Sequence, residues 1–280
     1  MAGFSIGVLL ESFREDWRKS LQLAQQVGAQ GVQIYATTGE LAPENLTPAG
    51  RRELLDMVKS HGLTVSALCG DLGGGGFTKP ENNPAKIEKS KRILDLAKDL
   101  ETNIVTTHVG VVPADKTHPR FAILQQACGE LAEYADSLQA HFAIETGPET
   151  SAVLKVFLDS LGSHGVAVNM DPANLVMVTA DDPAQAVRTL GDYIVHTHAK
   201  DGRRNFYRDP EEVYGMIESH IVTNPSFDEL PLGEGQVNWD EYLAALREIG
   251  FGGFLTIERE VGGKPYDDIA MAVEFLKARI

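Results

Sequence analysis

The chain has 280 residues, 43% of them hydrophobic, and a formal net charge of −15. That acidity argues against nucleic acid as a partner, because phosphate binding needs a basic surface. Two cysteines without a spacing motif, Cys69 and Cys128, exclude a disulfide framework, and no stretch approaches the length of a membrane span. With no basic leader ahead of the short apolar N-terminal run, the expectation is a soluble, cytoplasmic protein.

One unit recurs along the sequence: a short β-branched run, a loop, an amphipathic helix, then glycine and the next run. Phe4–Leu10 reads as strand 1 and Trp17–Val27 as its helix, ending at Gly28. Gly31–Ala36 is strand 2, and Thr47-Pro48 opens a helix that stops at His61-Gly62, with threonine as N-cap and proline in the first turn. Leu63–Leu68 is strand 3, followed by the Gly73–Gly76 run and a helix near Pro84–Leu100. Asn103–His108 is strand 4, with a helix at about Arg120–Leu138.

Phe142–Glu145 is strand 5, with a helix from Thr150 to Leu161, and Val166–Asp171 is strand 6. Asp182-Pro183 caps the next short helix, and Tyr193–Asp201 is strand 7. An insertion, Gly202–Leu230, carries its own short helix around Glu211–His220. Asn238-Trp-Asp-Glu241 is a capping box for a helix that stops at Gly250; Gly253–Glu258 is strand 8 and Tyr266–Ala278 the closing helix. Eight hydrophobic strands alternating with helices predict a parallel sheet closed as a (β/α)8 TIM barrel, one domain over 1–280, with an insertion after strand 7. No G-x-G-x-x-G follows strand 1, so a dinucleotide-binding sheet lacks its fingerprint.

In such barrels the chemistry sits where strands end and βα-loops begin. Strand 5 ends at Glu145, strand 6 at Asp171, strand 7 at His198 and strand 8 at Glu258, so four consecutive strands each place a metal-capable group on one rim. A single acidic strand end is explained equally well by helix capping; four on adjacent strands are not. Three carboxylates and one imidazole suit Mn²⁺, Mg²⁺ or Co²⁺ in an octahedral site, and fit a closed structural Zn²⁺ site less well. A cation would offset the mutual repulsion of the carboxylates, so the metal-free protein is expected to be less stable.

Successive strand residues face opposite sides, so His196, His198 and Lys200 share a face. His196 lies deeper and reads as a buried, hydrogen-bonded histidine. Lys200 reads equally as a donor to a substrate oxygen or as the partner of a rim carboxylate. His108, closing strand 4, reaches either substrate or a structural partner, and Glu149 stands near a helix start where capping competes with substrate binding. Gly73–Gly76 lacks the lysine and helix placement of a P-loop and reads as a rim loop. The insertion, with Arg203, Arg204, Phe206 and Tyr207, is placed as a lid or as a contact between subunits of a homo-oligomer.

The rim pattern of Glu145, Asp171, His198 and Glu258, with His198-Ala-Lys-Asp201, Leu232-Gly-Glu-Gly-Gln-Val237 and Thr256-Ile-Glu258, resembles the sugar phosphate isomerase/epimerase family. This is the xylose-isomerase-like barrel superfamily, which also contains endonuclease IV, and the likeness spans nearly the whole chain. The resemblance implies that Glu145, Asp171, His198 and Glu258 hold one divalent metal ion and that Glu145 and Glu258 double as acid and base. It implies proton abstraction next to the carbonyl of a small carbohydrate through a stabilised enediolate, giving isomerisation or epimerisation; loss of a β-hydroxyl would give dehydration or lyase chemistry instead. Asp171-Pro-Ala-Asn174 departs from the Asp-x-x-His of many ketose epimerases and of endonuclease IV. A phosphodiesterase or endonuclease would need more rim histidines and a basic groove. A non-catalytic sugar-binding barrel would be expected had Glu145 or Glu258 been replaced.

Overall fold

Polar caps and first-turn prolines set where the helices begin. In the computed structural model, which describes residues 3–218 and 224–280, the helices are α1 (Trp17–Val27), α2 (Pro48–Ser60), α3 (Asn83–Asp99), α4 (Pro119–Ser137), α5 (Ser151–Asp159), α6 (Pro172–Asn174), α7 (Pro183–Leu190), α8 (Pro210–Val213), α9 (Trp239–Glu248) and α10 (Pro265–Lys277). Thr47 Oγ1 accepts from the Gly50 N–H at 3.1 Å, Asp182 Oδ1 from Gln185 at 2.8 Å and Asn238 Oδ1 from Glu241 at 3.4 Å, each satisfying a donor that the first turn leaves free. Caps of this kind contribute about 1 kcal/mol each.

The strands are β1 (Ser5–Leu9), β2 (Gly31–Tyr35), β3 (Thr64–Cys69), β4 (Ile104–Thr107), β5 (His141–Glu145), β6 (Val166–Met170), β7 (Ile194–Ala199), β8 (Asp201–Arg204), β9 (Phe227–Leu230) and β10 (Phe254–Ile257). Eight of them close as a parallel barrel in the order β1-β10-β7-β6-β5-β4-β3-β2. Closure is direct: Ile6 of β1 lies opposite Leu255 of β10, and Val8 opposite Ile257. The (β/α)8 barrel expected from the alternating pattern is the fold. Helices pack on its outside through residues spaced three and four apart, as in α1, where Ser20, Leu21, Ala24 and Val27 are buried. Leu21 is fully buried, and Leu21→Ala would cost about 2–5 kcal/mol in lost burial and cavity formation.

Local structure departs from expectation in three places. β7 ends at Ala199, and Asp201 starts β8, which pairs antiparallel with β9 (Asp201 opposite Leu230), so the insertion contains a two-stranded ribbon that its mixed composition did not announce. Its helix is the short α8, capped by Asp209; residues 219 and 220 of the expected Glu211–His220 helix lie outside the described residues. After β6, Asp171 caps α6 and the chain continues through a wide π-type turn, Leu175–Thr179, before α7.

The Gly73–Gly76 run is a rim loop in which all four glycines have positive φ, between 60° and 74°. A Cβ on Gly76 would sit 2.0 Å from the Val109 carbonyl carbon, so only glycine lets this loop lie against the end of β4. Lys86 Nζ donates to the Gly73 oxygen at 2.7 Å and also to that of Gly76, which commits the nearest lysine to the loop itself. No helix among the described residues is long and apolar enough to cross a membrane. Cys69 and Cys128 are both free and buried.

Candidate functional site

Parallel strands present their C-terminal ends to one rim, and four of these ends converge. Glu145 closes β5, Asp171 follows β6, His198 lies near the end of β7 and Glu258 follows β10; one ligand atom from each lies within 4.8 Å of the others. His198 Nδ1 stands 3.5 Å from Glu145 Oε1, 3.5 Å from Asp171 Oδ2 and 3.2 Å from Glu258 Oε2. All four are at most 7% exposed, and Asp171 Oδ2 is buried with no hydrogen-bond partner. Three buried carboxylates and an orphaned carboxylate oxygen are costly arrangements without a cation between them. The donor set, three oxygen ligands and one imidazole, therefore fits a hard divalent ion.

The interior of the barrel below orients these ligands. His198 Nε2 lies 2.9 Å from Gln33 Oε1, and Gln33 Nε2 in turn donates to Thr106 Oγ1 at 2.7 Å. With Nε2–H donated to Gln33, Nδ1 is the nitrogen turned toward the carboxylates. Burial opposes a charge on His198, but Glu258 and Glu145 outweigh it and push its pKa well above the usual histidine value in the absence of metal. His196, one turn of the pleat deeper, is held well below that value by burial and stays neutral. Its Nδ1–H donates to Asn169 Oδ1 at 2.9 Å and its Nε2 accepts from Thr256 Oγ1 at 3.0 Å, the buried hydrogen-bonded role expected of it.

Glu145 is fixed from two sides: Asn169 Nδ2 donates to its Oε2 at 3.1 Å, and Asn174 Nδ2 to its Oε1 at 3.0 Å. Asn174 thus takes hold of a carboxylate at the position where the sequence departs from Asp-x-x-His. Burial alone would raise Glu145, but His108 and His198 hold it below the ordinary glutamate value. Burial is likewise overcome at Glu258, which Lys200 and His198 keep well below that value. Lys200 Nζ donates to Glu258 Oε2 at 3.0 Å and to Glu260, and lies 3.9 Å from Glu229 of β9. The ion pair with a rim carboxylate is therefore present, and Lys200 also lines the cavity above the four ligands.

That cavity encloses about 230 Å³ and is walled by Tyr35, Asp71, His108, Asn174, Lys200, Tyr214 and three of the four cluster residues, Glu145, His198 and Glu258. His108 Nδ1 faces Asp71 Oδ2 at 3.4 Å, while its Nε2 is buried without a partner, 3.7 Å from Glu145 Oε1. Burial opposes the charged imidazole, but Glu145 and Asp71 push His108 up to about 9. Glu149 is not among the residues lining this cavity. Its Oε2 accepts from the Val112 N–H at 2.9 Å, and burial pushes its carboxyl up to about 8. It does not cap α5 either, whose first N–H, that of Ser151, is taken by Asp181 Oδ2.

A family model for the xylose isomerase-like TIM barrel matches residues 21–279. The chain belongs to that family. Among curated relatives it is 34% identical over 121 residues to the uncharacterized protein YfiH of Bacillus subtilis (strain 168), spanning 41% of this chain and 38% of that one. It is 27% identical over 253 residues to the uncharacterized protein MJ1311 of Methanocaldococcus jannaschii, spanning 86% and 76%. Among solved structures, a xylose isomerase domain protein from Planctomyces limnophilus superposes with TM-score 0.79 at 24% identity, covering 99% and 96% of the two chains. The probable 3-DHS dehydratase AsbF from Bacillus anthracis gives 0.74 at 19% identity, covering 99% and 100%. A D-psicose 3-epimerase, solved in the presence of D-fructose, gives 0.74 at 16% identity and 99% of each chain. At these identities the superpositions speak for the shared fold.

In this xylose isomerase-like barrel, Asp201 ties the His198-Ala-Lys-Asp201 motif to the Leu232–Val237 segment. Its carboxylate accepts from the N–H groups of Gly202 (2.8 Å), Gly233 (2.9 Å) and Val237 (3.2 Å) and from Trp239 Nε1 (2.9 Å). A Cβ on Gly235 would sit 2.0 Å from Asp201 Oδ1, so the Leu232–Val237 segment wraps an aspartate that leaves no room for a side chain. The site also contains residues that rim spacing alone does not single out. Gln33 and Asn169 each stand as a lone polar residue inside an apolar strand, a signal the sequence does carry; Asp71, just past β3, follows the same strand-end logic as the four ligands. Tyr214 and Glu229 come from the insertion, where no periodicity marks them. Tyr214 packs its ring 5.5 Å from His108, and Arg120 of α4 ties the same segment down through Glu211 at 2.7 Å, so the insertion roofs the cavity.

Proposed function

We propose that the protein is a divalent-metal-dependent isomerase or epimerase acting on a keto-sugar or polyol by proton transfer next to a carbonyl. The observation that carries this reading is the convergence of Glu145, Asp171, His198 and Glu258, of which Glu145, His198 and Glu258 line one small cavity. A divalent cation bound there would supply Lewis-acid polarisation of a substrate carbonyl, which acidifies the neighbouring C–H. Glu258, held ionised by Lys200, and Glu145, held by two amide donors, are the acid/base pair: one removes the proton and the other returns one to the adjacent carbon or to the opposite face. His108 has a free Nε2 at the cavity wall that can donate to a substrate oxygen, and the Tyr214 roof limits water entry.

A dehydratase or lyase acting on a keto-sugar is the second reading. The cationic His108 facing the cavity favours it, since it could protonate a departing hydroxyl. Incubating the Mn²⁺-supplied protein with D-psicose, D-fructose and D-tagatose in D₂O tests both. Solvent deuterium at a carbon next to the carbonyl, with interconversion of the ketoses, is the expected result. A product lacking one water would select the second reading, and no exchange or product from any carbonyl sugar would overturn both.

A further inference from the structure

A larger groove opens off the cavity and meets it at Glu258, one of the proposed acid/base pair. It encloses about 610 Å³ against about 230 Å³ for the cavity, and the two share Leu9, Tyr35, Glu258 and Glu260 as walls. The smaller volume lies below the range of about 300–1,000 Å³ that holds drug-sized ligands, and the larger lies within it. We propose that the substrate carries an uncharged, hydroxylated arm, a second sugar unit, seated in this groove between the ends of β1 and β2 and the turn after β10. The proposal rests on the proton-transfer reading for the reacting unit.

The wall chemistry selects the arm. Trp17, whose ring has the Arg18 guanidinium 4.2 Å from its centroid, and Tyr35 provide flat aromatic surface of the kind that packs against the C–H face of a sugar ring. Glu11, Asp16 and Glu40 provide acceptors for its hydroxyls. Two observations argue against an anionic arm. The groove's own cations are committed elsewhere: Arg14 donates to the Gly262 and Val261 carbonyls, each at 2.5 Å, and Arg259 to Glu229 at 2.6 Å and Asp268 at 2.9 Å. The remaining charges on the wall are carboxylates, which repel phosphate.

A cationic arm is also disfavoured, because Arg18 already pairs with Glu40 at 3.1 Å and with Asp16 at 3.8 Å. Glu11 adds a further hydroxyl partner. Its Oε1 accepts from the Tyr35 N–H at 3.2 Å while the carboxyl stays open to the groove.

Calorimetric titration of the Mn²⁺-supplied protein with D-fructose, D-fructose 6-phosphate and the 3-O-, 4-O- and 6-O-glucosyl fructoses tests this, together with the Trp17→Ala and Trp17→Phe variants. At least one glucosyl fructose should bind about ten-fold more tightly than D-fructose, and the phosphate ester no more tightly. Trp17→Ala should reduce that preference to about two-fold or less and Trp17→Phe should retain part of it, each variant being titrated well below its own melting temperature. A preference for the phosphate ester, no preference for any glucosyl fructose, or a preference untouched by Trp17→Ala would overturn the proposal. D-fructose exchanging deuterium without a glucosyl preference would remove the subsite and leave the proton-transfer reading standing. No exchange from any sugar in the set would bring down that reading, whatever the groove binds.

Discussion

The two halves of the barrel rim do different work. Going round the barrel, β5, β6, β7 and β10 each deliver one of the four metal-capable side chains, and β1 to β4 deliver none. The first half carries buried charge: three carboxylates each within 3.5 Å of His198 Nδ1, and Lys200 paired with Glu258. The second half carries Gln33, Tyr35, Asp71 and His108 and opens into the groove beside Trp17. Contacts across the barrel join them, notably His198 to Gln33 at 2.9 Å. On the proposed reading, cation binding would fall to the side where buried charge is concentrated and substrate recognition to the side that has space.

The comparison breaks most completely at Glu258. Glu258→Gln removes one ligand, one acid/base carboxylate and the partner of Lys200 while keeping the shape, and deuterium exchange should fall by at least about 100-fold. Exchange at the parental rate would show that the charged half does not perform the proton transfer.

Asp201 tests the scaffold behind that half. Asp201→Ala leaves four donors without their acceptor, including Trp239 Nε1, at a cost of about 3–5 kcal/mol and a drop in Tm of roughly 6–10 °C. A thermal melt within about 2 °C of the parent would contradict the role assigned to this carboxylate.

The smallest effect is expected at Glu149, which lies outside the cavity. Burial pushes its carboxyl from 4.5 up to about 8, so the fold favours the protonated form. Its contribution is complete below the unfolded value and is lost as pH rises toward about 8. Glu149→Gln has no proton to lose. The difference in Tm, variant minus parent, should therefore grow by about 3–5 °C between pH 5 and pH 8. A constant difference would place the residue in an environment that tolerates its charge.

Much of this division was legible before the coordinates. Period-two and helical patterning located all eight barrel strands, because each is bounded by glycine or a cap and each is buried on both faces. Strand-end chemistry located the charged half, since Glu145, His198 and Glu258 terminate apolar runs and Asp171 follows one directly. The neutral half was harder. Tyr35 reads as an ordinary strand residue, and Trp17 as the first turn of an amphipathic helix, until the barrel brings them to one groove. The roof was legible only as an insertion placed as a lid or a subunit contact; its residues were not, because Tyr214 and Glu229 reach the cavity through an irregular path that depends on tertiary contacts such as Arg120–Glu211 and Arg259–Glu229. Glu149, near a helix start, invited a capping role, but Asp181 supplies that acceptor from 30 residues away.

The measurement that tests the central claim most directly is metal content followed by Mn²⁺ titration of the chelated protein, in the parent and in Asp171→Ala. Asp171 Oδ1 caps α6 at the Asn174 N–H, whereas its buried Oδ2 has no hydrogen-bond partner among the described residues and is the oxygen a cation would satisfy. One equivalent of Mn²⁺ per chain, a Tm raised by its return, and loss of both in Asp171→Ala is the predicted result. A parent that binds no divalent ion, or that binds one equally well without Asp171, would contradict the four-ligand site.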